Sequence, residues 1–69
     1  MERQPMQSKA IRAVGYDQMT GTMEVEFTSG HVYRYTGVTP DTHQAFIEAE
    51  SLGQHFHSEI KPRHTGVKV

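Results

Sequence analysis

The groups in this chain that could do chemistry are its five histidines, its carboxylates and a Tyr33-Arg34-Tyr35 tripeptide. A nucleophilic enzyme needs a hydroxyl or thiol held beside a base, often in a glycine-flanked elbow. Ser8, Ser29, Ser51 and Ser58 have no such setting; Ser29 reads as a turn residue and Ser51 as a helix cap. Cysteine is absent, which excludes thiol nucleophiles, thiolate metal ligands and disulfides. No stretch approaches a P-loop or a dinucleotide fingerprint. Glu24 and Glu26 share one side of a strand, and Arg34 is the natural partner across the ladder. That pattern makes an ion pair on an open face, not an acid–base couple. The chain therefore reads as non-catalytic.

Metal binding fares little better. His55, His57 and Glu59 alternate around Phe56, and His64 lies beyond Pro62. On a helix, His55 and Glu59 share a face while His55 and His57 diverge. Zinc requires three or four convergent ligands. No metal and no cofactor is expected, and these residues read as exposed positions flanking a buried Phe56. His43 likewise reads as solvent-facing.

Nucleic-acid binding has better carriers. Aromatic side chains on a sheet stack bases, and arginine or lysine contacts phosphate. Tyr33, Arg34 and Tyr35, with Lys9 and Arg12, are the candidate residues. Lys61, Arg63 and Lys68 would add to them if the first strand lay beside the tail. The overall balance is seven Lys and Arg against eight Asp and Glu, net −1. It argues against a strongly electrostatic binder and leaves room for a local patch.

These side chains need elements to hold them. Residues 1–7 read as a flexible N-terminal arm, 8–62 as the single domain and 63–69 as a flexible tail. Ile11, Val14 and Tyr16 anchor a first strand whose alternation is imperfect, with Gly15 as a candidate bulge. Thr22 to Phe27 alternates strictly, with Met23, Val25 and Phe27 on one side and Glu24 and Glu26 on the other. Thr28-Ser29-Gly30 suits a three-residue hairpin loop with Gly30 in the left-handed region. That loop sets Val25 against Tyr33, Met23 against Tyr35 and Glu24 against Arg34. Both tyrosines then face the core, and Arg34 faces out.

Thr39-Pro40-Asp41 starts a helix: an N-cap, a proline at the first position and an acid at the positive end. Thr42, Ala45, Phe46, Ala49 and Leu52 share its apolar face, and Gly53 breaks it. Ser51 caps a second short helix carrying Phe56 and Ile60, which Pro62 stops. The fold class is α+β: a three-stranded antiparallel β-meander followed by a broken C-terminal helix packed on one face. No apolar run approaches the roughly 20 residues of a membrane span. The stretch Met1 to Pro5 has no apolar signal region. A cytoplasmic protein with no membrane association is expected.

Taken in order, Ser8, Ile11, Gly15-Tyr16-Asp17, Glu24-Val25-Glu26-Phe27, Ser29-Gly30, Tyr33-Arg34-Tyr35, Phe46, Ala49, Ser51, Gly53, Phe56 and Ile60 resemble the KTSC domain. The resemblance covers roughly residues 6–64 and centres on the Tyr-x-Tyr motif. That family occurs at the C-terminus of some lysyl-tRNA synthetases and as stand-alone small bacterial and phage proteins. The resemblance implies a small binding module and suggests RNA as ligand, with Tyr33, Arg34 and Tyr35 as the matching residues. This chain departs from the family where His55-Phe56-His57 replaces the usual Tyr-Phe-Asn, and near His64, where an aromatic is common.

Two functional classes follow. The first is a non-catalytic module binding RNA or single-stranded nucleic acid. The second is a protein-interaction or accessory module, of bacterial or phage origin, that docks on a partner or self-associates as a homodimer. Its motive is size. Ordering a chain costs about 1.5 kcal/mol per residue, which a small core barely offsets.

Overall fold

The computed structural model describes residues 1–69. Strand alternation builds the first layer. β1 (Arg3–Pro5), β2 (Ile11–Asp17), β3 (Thr22–Phe27), β4 (Val32–Tyr35) and β5 (Gly66–Lys68) form one five-stranded sheet in sequential order. Every neighbouring pair is antiparallel. Between β4 and β5 the chain leaves the sheet as α1 (Pro40–Ile47), α2 (Leu52–His55) and a π-helical turn (Phe56–Ile60). These pack on one face.

The hairpin follows its loop chemistry. Met23 lies opposite Tyr35, Val25 opposite Tyr33 and Glu24 opposite Arg34. Gly30 has φ 97°, a conformation that favours glycine. The helix starts also hold. The Thr39 side chain accepts from the Thr42 N–H and that of Ser51 from the Gln54 N–H. The core under the helices contains Ile11, Val14, Met23, Val25, Tyr35, Val38, Phe46, Leu52, Phe56 and Ile60.

Three expectations are corrected. The sheet has five strands and not three, because residues expected as a loose arm and a frayed tail pair as β1 and β5. The reason lies in their neighbours. A Cβ on Gly15 would come within 2.8 Å of the Glu2 carbonyl oxygen, and one on Gly66 within 2.6 Å of the Tyr35 ring. At each edge the close approach requires a glycine: Gly15 of β2 under β1, and Gly66 of β5 over the Tyr35 ring. The bulge sits at Arg12, between Ile11 opposite Phe27 and Ala13 opposite Glu26, and not at Gly15. The extra residue lets Ile11 and Val14 both reach the core. Finally, α1 ends at Ile47, before Gly53, which lies inside α2. Leu52 therefore belongs to the second helix, and Ala45 is exposed. Beyond α2 the Lys61 N–H donates to the Phe56 carbonyl, a five-residue step that widens the last turn.

Candidate functional site: a cleft between sheet and helices

The sheet separates the residues expected to act together. On the face away from the helices, Glu24 is 6% exposed and accepts from both sides. Arg3 Nη1 donates to its Oε1 at 2.9 Å; Arg34 Nε and Nη2 donate to its Oε2 at 3.1 and 2.7 Å. The Arg34 bonds, joined by those from Arg3, hold the Glu24 carboxyl below its ordinary range although burial pushes the other way. Glu26 continues the row, with Arg12 Nη1 at 3.3 Å and Arg3 Nε at 3.5 Å. Arg12 also donates to the Thr28 carbonyl. Arg34 and Arg12 are thus tied into ion pairs on this face. Arg3, which joins strand β1 to that network, went unrecognised in the sequence because its strand did.

The opposite face carries the tyrosines. Tyr35 is 4% exposed and belongs to the core; burial, with a smaller push from Tyr33, raises its hydroxyl above the ordinary range. Tyr33 is half-buried at the rim. Together with Phe27 and Phe56 they form a knot of rings. Phe27 meets Tyr33 edge-on at 5.9 Å and Phe56 at 5.3 Å, and Tyr35 meets Phe56 at 5.6 Å. Such edge-to-face pairs are the favoured aromatic geometry. His57 lies against Phe56 at 5.6 Å.

This knot floors a cleft of about 610 Å³ between the sheet, the π-helical turn and β5. A single small-molecule unit needs a cavity of this order. Ala10, Gly53, Lys61, His64, Thr65 and Gly66 complete the walls, and no carboxylate lines it. The His64 ring is fixed by the Thr36 carbonyl, 3.2 Å from Nδ1.

The cations sort by face. Arg3, Arg12, Arg34 and Arg63 each have a carboxylate partner; Lys9, Lys61 and Lys68 have none. Of the three lysines, Lys61 lines the cleft; Lys9 precedes its wall residue Ala10 in sequence, and Lys68 lies opposite Tyr33 in the β4–β5 register. The first long strand, β2, is not beside the tail; β5 joins β4 instead. Of the expected set, Tyr33 and Tyr35 line the cleft, while Arg34 and Arg12 lie on the other side of the sheet. Phe27, Phe56, His57 and Lys61 line it too. Phe27 and Phe56 were expected as buried residues and Lys61 as an additional cation, but the sequence did not bring them together with the tyrosines.

No group of three His, Asp or Glu side chains is placed to hold a metal ion. His43 stacks on Tyr16 with centroids 4.3 Å apart and planes 10° apart, a half-buried setting and not an exposed one. No helix is long and apolar enough to cross a membrane.

A five-stranded meander with a helical insertion, an ion-paired outer face and an aromatic cleft lined by Lys61 defines a small α+β domain. The comparisons place it. Residues 7–64 match the KTSC domain model, and the chain belongs to that family. A crystal structure of a KTSC domain protein from Yersinia pestis superposes with TM-score 0.94 at 35% identity, covering 99% of this chain and 96% of that one. A protein from Stutzerimonas stutzeri is 48% identical over 64 residues, 93% of this chain and 90% of its own length. The lysine–tRNA ligase of Nostoc punctiforme is 40% identical over 55 residues, 80% of this chain and 10% of the ligase.

Proposed function

We propose that this protein is a non-catalytic module that binds single-stranded nucleic acid, RNA foremost, through the cleft and not through the outward side of the Tyr33-Arg34-Tyr35 strand. One observation carries the reading: an aromatic cleft without acidic residues is lined by Lys61, which has no carboxylate partner. Rings offer bases a stacking surface, and unpaired cations attract phosphate. The relation to a lysine–tRNA ligase, an enzyme named for its RNA substrate, supports RNA over other polyanions.

The test is fluorescence anisotropy with a mixed-sequence single-stranded RNA across a salt series. With two or three lysine–phosphate contacts, log K should fall against log salt with a slope of about −2. Lys61→Glu should weaken binding, and Arg34→Glu should not at matched stability. No binding at low salt, or loss with Arg34→Glu alone, would refute the reading.

One feature favours protein docking as a second reading. Val67 and Val69 on the β5 edge are 62% and 56% exposed, next to Val32. An uncovered edge with apolar side chains can pair with another strand. A concentration-dependent mass in sedimentation would support self-association; a strict monomer to high concentration would count against it.

A further inference from the structure

The geometry points to a single unstacked nucleotide as the unit the cleft receives, its base against the aromatic floor and its phosphate toward Lys61. This rests on the nucleic-acid reading and narrows it. A surface that tracks several bases presents rings in a row, one per base. Here Phe27, Tyr33 and Phe56 touch one another in one cluster, with centroid separations of 5.9 and 5.3 Å. The outer face of the sheet adds no aromatic residue to extend the row. The cleft, at about 610 Å³, is closed on one side by β5 and on another by the π-helical turn. That volume suits one nucleotide-sized unit.

The charge agrees. Lys61 lines the cleft from the helical side with no carboxylate partner, so a phosphate attached to the inserted base meets an unpaired cation. His57 beside Phe56 adds a ring donor at the rim.

The experiment compares three RNA duplexes of equal length and one single strand at low salt. One is a blunt duplex, one carries a single overhanging nucleotide, one carries an abasic residue at that overhang, and the fourth is the single strand. Restoring one free base should strengthen binding over both the blunt and the abasic duplex. The expected gain is roughly 5- to 150-fold, the range of one base–aromatic stack. Tyr33→Leu, which keeps an apolar side chain over the core, should abolish the gain. Lys61→Glu, at an exposed position, should weaken the overhang duplex without affecting folding. If the single strand binds but the overhang duplex matches the blunt one, the single-nucleotide inference is wrong and the broader reading stands. If an abasic overhang binds as well as an intact one, phosphate alone is recognised and the inference is likewise overturned. If the single strand itself does not bind, both fall.

Discussion

Glu24→Gln removes the charge on which the outer face turns. The wild-type carboxylate is almost fully covered and receives three N–H donors from Arg3 and Arg34. Breaking a fully buried ion pair costs about 3–5 kcal/mol, and an exposed one is worth about 0–1. Glu24 is at the buried limit, but the Arg3 and Arg34 side chains are 35% and 49% exposed. Water can re-solvate the guanidinium groups, which places the expected loss at about 2 kcal/mol. In a domain of this size the melting temperature would fall roughly 8–16 °C. The pH dependence carries the sign. The folded carboxyl is held below its ordinary value of 4.5, so its contribution is full above that value. It is lost as pH falls from there through the folded-state pKa. Urea unfolding of wild type and variant should therefore differ by about 2 kcal/mol at pH 7 and converge in strong acid. A gap below about 0.5 kcal/mol at pH 7 is within the range of ordinary surface substitutions and would refute this view of Glu24. So would a gap that persists unchanged in acid, because the effect would then be one of shape.

Further outcomes follow from other contacts. Gly66→Ala would place a Cβ 2.6 Å from the Tyr35 ring, so β5 should detach while the core stays folded. Hydrogen exchange should show faster exchange at the Val67 and Val69 amides with the β2–β3 ladder unchanged; equal protection would contradict it. Burial lowers the His43 ring against its ordinary value of 6.5. The neutral ring on Tyr16 thus adds stability above 6.5 that is lost as pH falls through the lowered pKa, and NMR titration of His43 should give a midpoint under 6.5. A midpoint at or above that value would contradict the stacked, half-buried setting. Tyr35, raised above 10.0, should be the last tyrosine to ionise in an alkaline absorbance titration. Its contribution holds below that value and is lost at higher pH, so ionisation of Tyr35 with unfolding is expected.

The hairpin was legible because two independent signals agreed. The Glu24–Glu26 alternation marked a face, and Thr28-Ser29-Gly30 fixed the register, so the tyrosines could be assigned inward. The helix caps at Thr39 and Ser51 were legible for the same reason: local chemistry decides them. The edge strands were not. Arg3–Pro5 and Gly66–Lys68 are too short to carry a periodicity; β1 is admitted by the space at the distant Gly15, and β5 by its own Gly66, which clears the ring of the distant Tyr35. Gly15 was noticed, but a glycine allows a bulge and a close approach equally. The candidate site inherited that limit. Tyr33 could be read, while Lys61 reaches the cleft only because the π-helical turn and β5 return the chain to β4. Arg34 stood between two tyrosines in sequence and on the opposite face in space, as a strand's period of two requires.

Titration of isotopically labelled protein with single-stranded RNA, followed by NMR shift mapping, tests the central claim most directly. Cleft binding requires the largest changes at Tyr33, Phe56, His57, Lys61 and Gly66, with Arg3, Glu26 and Arg34 unmoved. Changes centred on Arg3, Arg12 and Arg34, or no changes at all at low salt, would contradict it.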